Sequence, residues 1–405
     1  MIKKLIFISQ IILYLPLIIL IIILSPIIKI KLVKLKNNEL GSLTTSTELF
    51  LLKKKNKIYK NNQIFLWFTE RGAVANNFIF EYRKKQLWLL PGFILYPIQL
   101  FFLLFKSTRK HIYYKVINHK KIINNKIITK KKIIEETYVD NYNLLTQFPS
   151  TIKFTNQQKE IGKNFLASAG IDENKKFVCF GVRTKSFKTE SFNSVRNSSI
   201  KNQLLGINYL IKNGYKAVRM GKNEEKLDSK NVNIFDYGSC ANNQDFLDFY
   251  ISSKCEFFIS GDTGLNELAT VMRKPKLILD FVHFHIIENI NHNFCPLILP
   301  KKVYSLKKKG FLKYSNIFKD GIDKIGRTEN YPKDLRLVDN DQEEILNAIQ
   351  EMRMLIELKN FDLDNFKKKQ RKFWDLNRKY NNSENNNLVI SPSFFDKYNY
   401  LFTDD

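Results

Sequence analysis

Largely apolar runs alternate with amphipathic segments between residues 155 and 280, and this alternation constrains the fold more strongly than any other feature of the chain. The runs are KFVCFGV (176–182), YKAVRM (215–220), NIF (233–235), CEFFIS (255–260) and KLILD (276–280). Apolar runs of this length are typical of strands in parallel sheets, which are buried on both faces. Helices are predicted at 157–168, 199–213, 243–253 and 264–273. This order predicts a doubly wound α/β domain at about residues 170–300.

Residues that cap helices mark the ends of several predicted elements. Thr155 precedes the first helix as an N-cap, and Gly170 and Gly214 follow two helices as C-terminal stops. Two further helices are predicted at 339–352 and 361–380. Asp339-Asn340-Asp341 and Asp362-Leu363-Asp364 look like metal-binding Asp-x-Asp patterns, but each lies at a predicted helix start, where capping is favoured. We therefore predict no metal site.

Glycine and aspartate follow the fourth predicted strand, in SGDTGLNEL (260–268). Gly261 and Gly264 allow tight backbone turns, and Asp262 or Thr263 can cap the helix that follows. The unpaired N–H groups at such a helix start favour a diphosphate, and ligands of doubly wound sheets bind beyond the carboxyl ends of the strands. The alternative is an ordinary turn between a strand and a helix.

Cationic and small polar residues follow other predicted strands at the same edge of the sheet. They are Arg183 and Lys185 after the first strand, Arg196 and Asn197 before the next helix, and Arg219, Gly221 and Lys222 at the end of the second strand. A guanidinium group binds phosphate oxygens in pairs. Each residue alone could belong to a surface ion pair, but their shared edge predicts a diphosphate site.

Residues 5–28 form an uncharged apolar stretch, LIFISQIILYLPLIILIIILSPII. This length is enough to span the ~30 Å hydrocarbon core, and Pro16 would kink the helix without preventing insertion. A signal peptide is the alternative, but no small-residue cleavage site follows. More lysines follow the stretch than precede it, so the positive-inside tendency places the rest of the chain in the cytoplasm. We expect residues 1–36 to anchor the protein in the inner (cytoplasmic) membrane.

A second uncharged stretch, QLWLLPGFILYPIQLFFLLF (86–105), contains Pro91, Gly92 and Pro97 and is flanked by basic residues. Three structures fit this stretch: a buried core helix, an interfacial helix whose flanking lysines meet lipid phosphates, or a full span.

The chain carries a formal net charge of +27, with 66 Lys and Arg against 39 Asp and Glu. This balance suits an anionic membrane, a phosphate-bearing substrate or nucleic acid. Residues 109–135 are basic and aromatic, and their alternation predicts strands; since no recognition motif accompanies them, we predict no nucleic-acid partner. The four cysteines form no CxxC pair and no zinc-type cluster with histidine, and no cofactor is predicted.

Several segments, taken in order, resemble a family of bacterial glycosyltransferases known from surface-polysaccharide gene loci. The resemblance covers about residues 40–402 and includes GSLTTSTELFLL, FGVR, VRNSSI, GYKAVRMGK, FFISGDTGLNELA and a closing SPSFF. The second half is also similar to the nucleotide-binding half of the ADP-heptose:lipopolysaccharide heptosyltransferases. There a DTG at a helix start contacts the donor diphosphate, which implies that role for Asp262, Thr263 and Gly264. The place of a histidine near the donor ribose is taken by Glu267.

The resemblance implies a GT-B-like α/β architecture of two Rossmann-like domains, to which the apolar stretch 5–28 adds an N-terminal membrane helix. The parts of the chain would be a membrane anchor (1–36), an acceptor-side α/β domain (37–165), a nucleotide-sugar-binding domain (170–300) and a C-terminal extension with helices (301–405). The implied function is a metal-independent glycosyltransferase that moves a sugar from a nucleotide-sugar donor to a cell-surface glycan or lipid-linked acceptor.

Three positions depart from the family patterns. Thr184 stands where an aspartate is usual, Gly41-Ser42 replaces a Gly-His pair, and Asp280 stands where asparagine is frequent. Glu48 lies in the N-terminal motif and is the candidate general base. The departures leave open a non-catalytic nucleotide- or glycan-binding membrane-associated protein, and the charge leaves open a basic membrane-surface scaffold.

Overall fold

The computed structural model describes residues 2–69, 72–113, 115–123, 126–134, 139–172, 174–183, 194–222, 224–240, 244–290, 294, 296–358, 362–383 and 387–404. Side chains are described over the same ranges except in 2–8 and 115–134. The chain divides into two compact units. Unit 1 is Met1–Asn118 with Lys131–Val139, and unit 2 is His119–Lys130 with Asp140–Asp405.

Unit 1 is built on a parallel sheet of three strands with helices. In order across the sheet, the strands are β1 (Lys29–Leu35), β2 (Gln63–Thr69) and β3 (Leu89–Leu90). The helices are α1 (Ile2–Leu24), α2 (Thr47–Lys55), α3 (Asn77–Lys84) and α4 (Gly92–Leu104). A π-helical turn, Ser42–Ser46, precedes α2. The strands β4 (Lys115–Ile123) and β5 (Lys126–Ile134) form a separate two-stranded sheet, which confirms the predicted strands in the basic segment.

The apolar residues of α1 and α4 pack together on this sheet. One buried cluster joins Ile18 and Ile21 of α1, Leu95, Ile98 and Phe102 of α4, and Leu32 and Phe68 of the strands. The stretch 86–105 thus contains β3 and α4 and has one buried face. No helix in the described part of the chain has the length and hydropathy to cross a bilayer, so the predicted span over 5–28 has no support here.

Unit 2 is built on a parallel sheet of seven strands. In order across the sheet, the strands are β15 (Val389–Ile390), β11 (Leu297–Pro300), β10 (Lys276–Phe281), β9 (Phe258–Gly261), β6 (Phe177–Gly181), β7 (Lys216–Arg219) and β8 (Ile234–Phe235). The five strands predicted from the apolar runs are all present. Their side chains are almost all buried, as expected for strands covered by helices on both faces.

Helices and a small antiparallel sheet complete unit 2. The helices are α5 (Leu144–Gln147), α6 (Asn156–Ser168), α7 (Leu204–Lys212), α8 (Asp245–Lys254), α9 (Asn266–Val271), α10 (Tyr314–Lys319), α11 (Gln342–Arg353), α12 (Leu363–Lys369), α13 (Arg371–Asn381) and α14 (Pro392–Lys397). The small sheet has the order β13 (Gly310–Phe311), β12 (Lys302–Ser305) and β14 (Leu335–Val338).

The predicted caps at the starts of α6, α11 and α12 are confirmed. Thr155 and Asp341 each form a capping box at the start of α6 and α11, and the Asp362 side chain accepts a hydrogen bond at the start of α12. Gly170 and Gly214 have positive φ angles of 72° and 86° after their helices. The two Asp-x-Asp patterns are therefore explained by helix capping.

The C-terminal segment differs from its expected role as a separate extension. β15 pairs in parallel with β11, so residues near 390 supply the edge strand of the main sheet. The predicted boundary at residue 300 therefore falls between strands of one sheet, and unit 2 continues to the end of the described chain.

Candidate functional site

The strand order of unit 2 creates a reversal between β6 and β9. From β6 the chain adds β7 and β8 on one side, and it then returns to add β9 on the other side of β6. Doubly wound sheets bind ligands at the carboxyl ends of the strands beside such a reversal. The residues that follow β6 and β9 are therefore the first place to look for a ligand site.

Four polar side chains interact at this reversal: Arg183, Arg196, Asp262 and His283. Asp262 follows β9 directly, and its Oδ2 atom lies 2.8 Å from Nδ1 of His283. Its Oδ1 atom lies 3.9 Å from Nη1 of Arg196. The side chains of Arg196, Asp262 and His283 are 32%, 18% and 11% exposed. They are thus shielded from most water but remain within reach of a ligand.

The cluster has an excess of positive charge. Burial and the neighbouring charge of Arg196 lower the pKa of Arg183 to about 10, although Asp262 acts in the opposite direction. Burial alone would raise the pKa of Asp262, but His283 and the two arginines lower it below its usual value. Both guanidinium groups therefore act on the Asp262 carboxylate, and their positive charge favours an anionic ligand at this place.

The turn after β9 offers backbone donors beside these arginines. The N–H groups of Asn266, Glu267 and Leu268 donate to the carbonyl oxygens of Thr263, Gly264 and Leu265. Among the described residues, the N–H groups of residues 263–265 have no acceptor. They are the kind of donor that binds phosphate oxygens in a tight turn.

The helix after this turn is shorter than predicted. α9 begins at Asn266 and has six residues, and no side chain caps its start. The predicted capping by Asp262 or Thr263 is therefore wrong, because Asp262 pairs with His283 instead. Asn266 holds the turn together: its side chain accepts a hydrogen bond from the Ser260 hydroxyl and donates one of 2.9 Å to the Gly261 carbonyl.

A buried polar network supports the segment that carries Arg196. Asp280, at the end of β10, has a φ of 53°, a left-handed conformation that is costly for a residue with a side chain. Its Oδ1 atom accepts hydrogen bonds of 2.9 and 2.8 Å from the backbone N–H and the amide of Asn340. Burial raises the pKa of Asp280, and the charge of Lys301 opposes this. Lys301 also donates a 2.7 Å hydrogen bond to the Asn197 carbonyl, which fixes the backbone next to Arg196.

Arg219 and Gly221 belong to a different cluster. Nη1 of Arg219 donates to the Glu225 carbonyl at 2.6 Å and to Asp236 at 3.2 Å, and Nη2 lies 3.4 Å from Glu224. Gly221 has a φ of 154°, and a Cβ atom there would lie 2.6 Å from the Glu224 side chain. Carboxylates already neutralise Arg219, so the structure gives it a packing role in place of the predicted diphosphate contact.

Glu48 is buried within unit 1. Its Oε2 atom accepts a 2.8 Å hydrogen bond from Nη2 of Arg83, and both side chains are 0% exposed. A general base must reach the proton of a bound substrate. The expected role of Glu48 as general base is therefore not supported. Ser42, at the position of the family histidine, is likewise buried, in the π-helical turn.

The remaining predicted residues are placed as follows. Thr184 and Lys185 lie outside the described residues. Gly261 ends β9, Thr263 and Gly264 lie in the turn, and Glu267 lies in the first turn of α9.

Sequence reasoning missed His283 as a site residue. Its signal was its position two residues after the end of β10, because that strand lies beside β9. The described part of the chain contains no cluster of three or more His, Cys, Asp or Glu side chains placed to hold a metal ion.

No protein-family model matches the chain, and no curated protein is similar to it. Similar solved structures include a glycosyl transferase family 9 protein from Veillonella parvula, with 12% identity and a TM-score of 0.36 over 62% of this chain and 81% of that one. The E. coli ADP-heptose lps heptosyltransferase II has 12% identity and a TM-score of 0.34 over 62% of this chain and 84% of its own. The iron-containing glycosyltransferase TibC of enterotoxigenic E. coli has 11% identity and a TM-score of 0.33 over 63% of this chain and 60% of its own.

Identities and TM-scores of this size carry no argument about the activity of this chain. The residues at the strand reversal therefore carry the functional proposal.

Proposed function

We propose that this protein is a glycosyltransferase that moves a sugar from a nucleotide-sugar donor to a cell-surface glycan or lipid-linked acceptor. The observation that carries the proposal is the cluster of Arg183, Arg196 and Asp262 at the reversal between β6 and β9, beside a turn whose N–H groups have no acceptor within the described part of the chain. This arrangement suits the diphosphate of a nucleotide sugar, which needs several donors and a local positive charge.

The same groups would assist the chemical step. When the bond between sugar and diphosphate breaks, negative charge develops on the leaving phosphate oxygen. Fixed guanidinium and N–H donors stabilise such a charge, and they act most strongly where water is excluded. This mode requires no metal, and we propose a metal-independent enzyme of the GT-B type. Glu267, in the first turn of the next helix, is the proposed contact to the donor ribose.

Calorimetric titration of the full-length protein in detergent with ADP, UDP, GDP and CDP tests the donor site. Arg196→Ala should weaken binding of the best nucleotide about 10–100-fold, because a hydrogen bond to a charged group contributes ~1.5–3 kcal/mol. Arg378→Ala is the matched control, since Arg378 is 58% exposed and pairs with Asp375 at the surface.

Two results would contradict separate parts of the proposal. If Arg183→Ala and Arg196→Ala both bind the nucleotide as wild type does, the donor site lies elsewhere. Loss of binding in EDTA, restored by Mg²⁺ or Mn²⁺, would contradict metal independence.

A non-catalytic binding protein is the second candidate, and one observation favours it. The expected base, Glu48, is buried against Arg83 and has no exposed surface. Release of nucleoside diphosphate from a nucleotide sugar, in the presence of extracted membrane glycolipids, separates the two candidates. Tight donor binding without turnover would establish the second.

We also propose that the protein works on the cytoplasmic face of the inner membrane. The lysines that follow the apolar stretch 5–28 support this location, because anionic lipids of the cytoplasmic leaflet attract clustered positive charge.

A further inference from the structure

Unit 1 exposes a broad apolar surface on α1 and α4. Exposed members include Ile12, Leu13, Leu20 and Ile23 of α1 and Phe93 and Leu104 of α4, each at least half exposed. Most of the large apolar side chains exposed in the described part of the chain lie on these two helices or beside them. We call this surface the apolar face. Exposed apolar patches of this kind mark binding surfaces.

The apolar face belongs to a folded part of the molecule. Ile18 and Ile21, on the other side of α1, are each 1% exposed and pack in the core cluster with α4 and the sheet. The C-terminal half of α1 is therefore held along unit 1 and does not project from it as a separate anchor.

Lysines and aromatic rings lie on α4 and on the segments that flank or contact it, and we call them the rim of the apolar face. Nζ of Lys54 lies 5.6 Å from the ring centre of Trp88, and Nζ of Lys34 lies 5.8 Å from that of Tyr96. Lys84, Lys85 and Lys106 are exposed at the two ends of the segment that contains α4. Paired aromatic rings and lysines are typical of the level of lipid headgroups, where the ring meets the acyl chains and the ammonium meets phosphate.

We infer that the apolar face lies in one leaflet of an anionic bilayer, with α1 and α4 parallel to the membrane plane and the rim lysines on lipid phosphates. The inference rests on the proposed membrane location but is independent of the proposed chemistry. Charge complementarity favours an anionic bilayer over a second copy of the chain, because a second copy would bring the same rim lysines against one another across a two-fold contact.

This orientation predicts equal depth for the two ends of the exposed side of α1. Ile12 and Ile23 are 67% and 66% exposed, and eleven residues separate them, which is ~16 Å along a helix. In a helix parallel to the membrane, both residues lie at the same shallow depth. In a helix that spans the bilayer over residues 5–28, both residues would instead lie deep, within ~10 Å of the bilayer midplane and on opposite sides of it.

Tryptophan fluorescence in vesicles measures these depths. Trp67 and Trp374 are buried, so Trp88→Tyr removes the one strongly exposed tryptophan among the described side chains. Ile12→Trp and Ile23→Trp are each placed in that background and bound as full-length protein to vesicles of phosphatidylglycerol and phosphatidylcholine. Lipids brominated near the headgroup or near the chain end then quench according to depth.

We expect the tryptophans of Ile12→Trp and Ile23→Trp to be quenched to equal extents. Each should be quenched more strongly by bromines near the headgroup than by bromines near the chain end. Leu20→Glu should reduce binding to these vesicles at least 10-fold, while Val232→Glu, at a residue 88% exposed in unit 2, should leave it unchanged. Stronger quenching of both tryptophans by the deep bromines would show a spanning helix, and depths that differ by more than ~8 Å would show a steeply tilted one; either result would overturn the inference. Equally strong binding to vesicles of phosphatidylcholine alone would also overturn the inference. So would an absence of quenching together with self-association of the protein. Nucleotide titration of the same samples reports on the donor site separately.

Discussion

Asp323→Asn should remove a large pH dependence of stability. Asp323 is 1% exposed, its Oδ2 atom accepts a 3.0 Å hydrogen bond from Asn381, and Nδ1 of His285 lies 3.7 Å away. Burial raises the pKa of Asp323 from 3.8 to about 7, although the charges of Lys324 and His283 oppose the shift. The folded protein thus carries a buried carboxyl group that holds its proton near neutral pH.

The sign and size of the effect follow from this shift. Because the folded state holds the proton more tightly, the stabilisation is complete below the unfolded pKa of 3.8 and is lost as the pH rises through about 7. A shift of ~3 pKa units corresponds to ~4 kcal/mol when the group is fully ionised. Between pH 5 and pH 8, the ionisation of Asp323 should lower the free energy of unfolding of the wild-type protein by ~2–3 kcal/mol. Asparagine has no proton to lose, so the variant should be spared that loss.

Urea unfolding of both proteins at pH 5, 6.5 and 8 measures the effect. The variant should gain ~2–3 kcal/mol relative to wild type over this range. Asp320→Asn, at an exposed aspartate three residues earlier, is the matched control and should show no such trend. A difference between Asp323→Asn and wild type that stays constant within ~0.5 kcal/mol from pH 5 to pH 8 would refute the reasoning.

Two further predictions concern the packing of each unit. Arg83→Met should destabilise unit 1 by ~3–5 kcal/mol in urea unfolding, because it leaves the Glu48 carboxylate buried without its cation; a loss under ~1 kcal/mol would contradict this. Gly162→Ala should lower the free energy of unfolding by ~1–3 kcal/mol, because the new Cβ atom would lie 2.3 Å from the Tyr250 ring. Gly326→Ala is the control and should be neutral, because a Cβ atom there meets nothing within 4 Å. Equal melting temperatures for the two variants would contradict the packing argument.

The elements of unit 2 could be predicted from the sequence, because each strand and cap has a local cause. Buried strands need continuous apolar runs, and helix starts need side chains that satisfy free N–H groups. Thr155 and Asp341 are residue types that cap helices, and each is followed three residues later by the Gln or Glu that completes the capping box. The turn after β9 could also be located, because glycine and aspartate follow a strand there.

The assignment of individual charges could not be predicted, because it depends on the strand order. Arg219 ends a strand just as Arg183 follows one, yet β7 lies toward the edge of the sheet, where Asp236 follows β8 and binds the guanidinium. Glu48 and Arg83 are 35 residues apart, and only the folded unit brings them together. β15 has two residues, too few for any periodic signal.

The position of β15 has a consequence for the way the protein is made. β11 ends at Pro300, and its neighbour β15 begins at Val389, so synthesis of the intervening residues takes roughly 4–18 s at ~5–20 residues per second. During that interval the nascent sheet has an unpaired edge at Leu297 and Ile298, both of which are fully buried in the finished protein. Such an edge is a template for wrong pairing between chains. We therefore expect newly made chains to be most prone to such wrong pairing until Val389 and Ile390 have emerged from the ribosome.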